Sequence, residues 1–223
     1  MLMTLLKDIF SPAQEATDKI EPGPKSVLNV GGGSKATPIP DYFAGWRHDL
    51  LDIDPRGKPD IVCDARELTR LPAAAYDAIY CSHNLEHYYR HDGLKVLQGF
   101  VHVLKDTGFA EIRVPDIAKV IAVLHEHQRE LDDVLYQSSA GPISAHDVVY
   151  GLQSEIEQSG QDFYAHKTGF TPKSLTSFLQ QAGFHKIFLA ADAFLAVHAL
   201  AFKAEPTTEQ RALLRQSGYA GLE

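Results

Sequence analysis

The stretch Ser26–Lys35, SVLNVGGGSK, decides the fold of this chain. Val27, Leu28 and Val30 make Ser26–Val30 a short, mostly apolar segment, the composition of a buried strand. It runs directly into Gly31, Gly32 and Gly33. A residue without Cβ takes φ > 0 freely and lets a ligand lie against the main chain. A strand ending in such a loop opens many nucleotide-binding α/β sheets, in which ligands sit beyond the carboxyl ends of the strands. An ordinary glycine turn satisfies the same letters, so the rest of the chain has to decide.

Downstream, Pro38 and Pro40 remove backbone donors, so the crossover helix that normally follows the glycines is expected to be short or absent. A second strand is expected over His48–Pro55, ending in carboxylates. Asp52 stands about 20 residues past the glycines, where an acidic side chain can accept hydrogen bonds from both hydroxyls of a ribose. Asp54 is the second choice, since Asp54-Pro55 also reads as a turn initiator. Asp60–Cys63 reads as a very short third strand. Asp64, just after it, can accept from an adenine amino group or cap a helix. Tyr76–Cys81 is the fourth strand and carries Ser82–His87 at its carboxyl end.

Leu94, Leu97, Val101 and Leu104 keep helical spacing after Asp92, a candidate cap. Asp106–Gly108 ends that helix, and Phe109–Val114 is the fifth strand. Residues 116 to 136 carry a helical apolar stripe: Ile117, Val120, Ile121, Leu124, Leu131, Val134 and Leu135. Residues 137–168 have little periodicity and are rich in Ser, Gly, His and Gln, as in a long functional loop. Thr171-Pro172 opens a well-marked helix that Gly183 ends. Phe184–Ala190 and Phe194–Phe202 then read as a closing strand pair. One domain is expected over 1–223. It has an N-terminal extension at 1–25, with Leu2, Leu5, Leu6, Ile9 and Phe10 on one helix face. It also has an insertion at 116–168 forming a substrate-side lid, and a polar tail at 204–223.

Hydrophobic residues are 44% and charged residues 22%, which bounds the chain to the ordinary globular class. The net charge of −8 argues against non-specific binding to nucleic acid or anionic lipid. Cys63 and Cys81 sit in expected strands and read as inert core thiols, which suits a reducing cytoplasm. No apolar run reaches the roughly 18 residues of a membrane span, and MLMTLLKDIF lacks the layout of a secretory signal.

The alternation of strands and helices with a final strand pair argues for an open, mostly parallel α/β sheet. Taken together, VLNVGGGSK, LLDIDP, DIVCDAREL, YDAIYCSHNLEHY, VLKDTGFAEIRVP and HKTGFTPKSLTSFLQQAGF resemble class I S-adenosylmethionine-dependent methyltransferases, closest to the methyltransferase type 11-like group. The resemblance covers roughly residues 26–202. It implies a Rossmann-like sheet of seven strands in order 3-2-1-4-5-7-6, strand 7 antiparallel, with helices on both faces. It implies S-adenosyl-L-methionine as cofactor and S-adenosyl-L-homocysteine as product. It places Asn29, Gly31, Gly32, Gly33, Asp52, Ile53, Asp64, Ala65, Ser82 and His83 around the cofactor. Asn29 stands where the family often has Asp or Glu, and LKDTG replaces the commoner LKPGG.

The implied activity is methyl transfer to a small-molecule or sugar-like acceptor. His83 and His166 are the candidate general bases, because His titrates near neutral pH. The acceptor is expected between the insertion and Ser82–His87, against His87, His146, Tyr150, Tyr164 and His166. No metal is expected from His83, His87 and His91, whose one carboxylate partner at metal-site spacing is Glu86. A nucleic-acid partner is not expected, and a homodimer stays open. Two other functions compete. A non-catalytic S-adenosylmethionine-binding module would fit Asn29. An NAD-dependent oxidoreductase or epimerase would fit the literal G-x-G-x-x-A of GGGSKA, but Pro38 and Pro40 deny the helix that motif needs.

Overall fold

Strands covered on both faces need apolar side chains at nearly every position. The chain supplies them in β1 (Ser26–Val30), all five of whose residues are buried. In the computed structural model, which describes residues 23–138, 140–191, 195–215, 217 and 219, β1 lies deep in a seven-stranded sheet. The others are β2 (Arg47–Asp52), β3 (Ile61–Val62), β4 (Tyr76–Ser82), β5 (Leu104–Pro115), β8 (Lys186–Ala191) and β9 (Ala196–Phe202). The order is β3-β2-β1-β4-β5-β9-β8. β1 runs parallel to β2 and β4, β4 parallel to β5, and β9 antiparallel to both neighbours. Counted within this sheet, that is the expected 3-2-1-4-5-7-6. The apolar face over Leu2–Phe10 lies outside the described residues.

Among the described residues the two faces are covered unequally. On one, α1 (Arg90–Val103) and α5 (Pro172–Ala182) press Leu97, Phe100, Leu175 and Leu179 onto Leu28, Ile79 and Ile112. On the other, a 3-10 turn at Asp41–Phe43 and the short α6 (Thr208–Leu214) cover Val27, Ala78, Phe109 and Phe202. Pro38 and Pro40 keep a full crossover helix from forming here. Aromatic rings supply the burial instead: Phe43 stacks on Phe109 at 6.2 Å and meets Trp46 edge-on at 5.2 Å. The α5 signals hold as read, with Thr171 capping, Pro172 in the first turn and Gly183 left-handed at φ 110°.

Several element expectations change. α1 runs from Arg90 to Val103 and passes directly into β5 at Leu104, so Asp106–Gly108 lies in the strand and does not end the helix, and Asp92 is not the helix cap. It sits in the first turn, 2.8 Å from Lys95 and 3.3 Å from Arg66. The helix expected over 116–136 stops early, as α2 (Ile117–Glu126). His125–Glu130 contains no apolar residue, so the stripe has nothing to bury there, and Gln128 turns left-handed at φ 53°. Leu131 and Val134, placed on that stripe, are exposed, as is Ile121. Val134–Ser138 instead forms β6, antiparallel to β7 (Gly141–Ser144). The stretch 137–168 is built from short elements: β7, α3 (Ala145–Tyr150), α4 (Gln153–Ser159) and a 3-10 turn at Asp162–Tyr164. Val120, Ile143, Val148 and Leu195 give it a small core of its own.

Candidate functional site

A cleft of about 680 Å³ opens at the carboxyl ends of β1, β2 and β4, within the size range of small-molecule sites. Its floor is the glycine loop. Gly31 and Gly33 have φ of 73° and 67°, and a Cβ on Gly33 would meet nothing within 4 Å, so bare backbone lines the opening. Asp52, at the end of β2, holds this loop. It accepts from the Gly33 amide at 2.9 Å and from the Asp54 amide at 2.8 Å. A carboxylate offers about four lone-pair positions, so two backbone donors leave acceptor capacity on the cleft wall. Asn84 packs its carboxamide over Gly31, where an added Cβ would fall 2.1 Å from it.

The second wall comes from the turn after β3 and the start of α1. Asp64 caps the 3-10 turn Ala65–Arg70 and takes Arg66 in a two-pronged ion pair, with Nη2 at 2.5 Å. Burial works against its charge, but the Arg66 hydrogen bonds outweigh it and hold the carboxyl below its usual range. Arg66 also reaches Asp92, and Tyr88 and Tyr89 complete the wall.

The insertion supplies the third wall through Asp162, Phe163, Tyr164 and Lys167. Its return leg is fixed to the chain after β4, since the amides of Lys167 and Thr168 donate to the Glu86 carbonyl at 2.8 and 3.1 Å. Across the cleft mouth, the Tyr164 hydroxyl donates to Asp54 at 2.5 Å and accepts from Arg56 at 2.6 Å. Arg56 also donates to Glu155 at 3.0 Å. The Arg56 and Tyr164 hydrogen bonds pull the Asp54 carboxyl down to about 2. Burial, then the Asp54 hydrogen bond, pushes the Tyr164 phenol up to about 12.

Of the residues the sequence singled out, Gly31, Gly33, Asp52, Ile53, Asp64, His83, His87 and Tyr164 line this cleft. His83 lies at φ 51°, a costly conformation for a side-chain-bearing residue, and also borders a second cavity of about 120 Å³. His166 lines that smaller cavity only; burial lowers its pKa. His146 and Tyr150 pack on each other, ring centroids 4.9 Å apart, and line neither cavity. Asn29 lies beneath the loop, 1% exposed. A Cβ on Gly32 would come 2.2 Å from its carboxamide, and its Oδ1 has no hydrogen-bond partner among the described residues. Gly32, Ala65 and Ser82 likewise stay off the cleft lining.

Sequence reasoning missed Arg56, Arg66, Asn84, Tyr88, Tyr89 and Phe163 as lining residues. Asn84 had a usable signal, since it sits within the strand-end run Ser82–His87. The others reach the cleft through turns whose direction no periodicity records.

No protein-family model and no curated protein matches the chain. Solved structures do. A SAM-dependent methyltransferase from Archaeoglobus fulgidus aligns with a TM-score of 0.50 and 17% identity, over 81% of this chain and 87% of that one. The PH0226 protein of Pyrococcus horikoshii aligns at 0.53 and 12%, over 80% and 83%. A chain from the Haloferax volcanii complex between the Trm112 methyltransferase activator and a candidate methyltransferase aligns at 0.52 and 13%, over 82% and 83%. At such identities the likeness speaks for architecture, and architecture alone does not fix function. With the strand order, the antiparallel β9 and these alignments in agreement, the chain has the class I S-adenosylmethionine-dependent methyltransferase fold.

Proposed function

We propose that the chain binds S-adenosylmethionine in the cleft and moves its methyl group to a small polar acceptor, a small molecule or a sugar-like one. The observation that carries this is the bare backbone of Gly33 facing open space beside the Asp52 carboxylate, with Gly31 under the Asn84 carboxamide next to it. Such a floor accepts an extended ligand, and the adjacent carboxylate accepts from a hydroxyl pair. Ile53, 39% exposed on the lining, offers an apolar surface for the adenine, with Asp64 and the Ala65 amide at its edge. Asn29 and Ser82 support the loop and the strand end at the methionine side. The bound sulfonium supplies an already reactive methyl group, so the chain's part is alignment and exclusion of water.

His83 is the preferred general base, because it opens on both the cleft and the smaller cavity; His166 is the second. Tyr164, Lys167 and His87 offer hydrogen bonds to the acceptor, and residues 116–168 act as the lid over it. Free Cys63 and Cys81 suit a reducing compartment such as the cytoplasm. Among the described residues no helix is long and apolar enough to cross a membrane.

Calorimetry with S-adenosylmethionine, S-adenosylhomocysteine and NAD tests the cofactor. Saturable binding of both adenosyl ligands and none of NAD is expected; response to NAD alone would reject the assignment. Turnover of labelled S-adenosylmethionine with a panel of hydroxylated and aminated small molecules then separates an enzyme from a binding module.

A further inference from the structure

The turn after β4, Leu85–His87, carries a carboxylate into the interior. Glu86 is 1% exposed, and neither of its oxygens accepts a hydrogen bond among the described residues. A buried carboxylate whose lone pairs are so little met is costly. The nearest groups are imidazoles: His83 Nδ1 at 3.3 Å and His166 Nε2 at 4.0 Å. With a ring nitrogen of His87, the ligand atoms of Glu86, His87 and His166 lie within 4.8 Å of one another. The His87 and His166 rings meet edge to face, centroids 4.7 Å apart.

One nitrogen of each ring is already committed. His166 Nδ1 is 3.0 Å from the Val148 carbonyl, and His87 Nδ1 is 3.3 Å from the Ala165 carbonyl. A carbonyl only accepts, so Nδ1 carries the proton in both rings, and in the neutral form Nε2 keeps a lone pair. Metal-ligating histidines are oriented in this way, by donating the other ring N–H to a backbone carbonyl. A lone-pair nitrogen facing a buried carboxylate, whose nearest donor, His83 Nδ1, stands off at 3.3 Å, is an arrangement that a cation resolves.

We propose that Glu86, His87 and His166 form a binding site for one divalent transition-metal ion, of the two-histidine, one-carboxylate type. Imidazole with carboxylate suits Zn²⁺, Fe²⁺ or Mn²⁺ and leaves coordination positions open to water or an oxygen ligand. Ligand atoms about 2.0–2.1 Å from a tetrahedral ion stand about 3.3 Å apart, so the three side chains close in by about an ångström on binding. The ion joins the turn after β4 to the end of the insertion, reinforcing the Lys167 and Thr168 amide contacts. This departs from the sequence expectation of no metal, which weighed His91 as the third imidazole. His91 is exposed and pairs with Asp92, and His166 takes the place. The site stands on its own geometry, whether or not the chain transfers methyl groups.

The test uses the full chain, free of any histidine tag and stripped with chelator. Calorimetric titration with Zn²⁺ should show one ion per chain and a raised melting temperature. His87→Ala and His166→Ala should each weaken binding by about tenfold or more, while His91→Ala binds like wild type. Should a variant misfold, imidazole NMR of the wild type decides: Zn²⁺ should move the His87 and His166 ring signals before those of any other histidine. Absence of saturable binding, unchanged affinity in the two variants, or first response at other histidines would overturn the site. Binding of S-adenosylhomocysteine by the same stripped sample tests the methyltransferase proposal separately.

Discussion

Gly57 comes so close to the glycine loop that a Cβ added to it would stand 1.6 Å from the Gly33 carbonyl oxygen. The contact is with backbone, so relief requires the loop itself to move. Gly57→Ala should therefore leave the sheet folded and weaken S-adenosylhomocysteine binding by about 1–3 kcal/mol, the usual size of an overpacking strain, as read by calorimetry. Asp52 works on the same loop from the other side. Its hydrogen bonds to the Gly33 and Asp54 amides mean that Asp52→Ala removes both a ligand acceptor and the loop's anchor. Loss of charge-assisted hydrogen bonds sets the expected cost at about 1–3 kcal/mol of cofactor affinity. Unchanged affinity in Asp52→Ala together with lost affinity in Asp54→Ala would move the ribose role to Asp54.

At the scale of elements, the insertion meets the turn after β2 through polar contacts. Arg56, Asp54, Tyr164 and Glu155 tie the turn after β2 to α4 and the turn Asp162–Tyr164. Asp54 has its folded pKa depressed to about 2 from the ordinary 3.8. A depressed carboxyl stabilises the fold above its unfolded pKa and loses that contribution as pH falls through the folded one. The tie should thus be intact above about pH 4 and released as pH drops towards 2, visible as movement of the Asp54 carboxyl and Arg56 Nε NMR shifts together over that range. Arg56→Ala should release it at neutral pH and raise amide exchange over 153–164 without changing the melting temperature of the sheet. Helix α5 depends on its start: Thr171 accepts from the Ser174 amide in a reciprocal cap. Thr171→Ala should cost about 1 kcal/mol in denaturant unfolding.

Taken whole, the described residues form two cores against the sheet and a satellite core under the insertion. Leu97→Ala, at a fully buried position on the inner face of α1, should cost about 2–5 kcal/mol of global stability. Val148→Ala should instead raise hydrogen exchange across α2, β7 and α3 and leave the sheet amides protected, since its neighbours belong to the satellite core. The same division separates what the chain's letters determine from what they do not. Strand residues buried on both faces, such as Val27, Leu28 and Val30, are apolar for a local reason and can be read directly. So can the Thr171–Gly183 boundaries of α5, because caps act within one turn of backbone. The carboxylates at the end of β2 and the glycine loop fall at spacings set by the length of one strand–crossover–strand unit, which made Asp52 legible. Beyond Glu126 the periodic signal stops, and β6 with β7 exists because Leu135, Tyr136 and Ile143 find cover against α2 and α3, contacts that no local pattern encodes. The gathering of Glu86, His87 and His166 is likewise a tertiary decision. It depends on the Lys167 and Thr168 amides finding the Glu86 carbonyl, and main-chain hydrogen bonds between distant segments leave no mark on side-chain sequence.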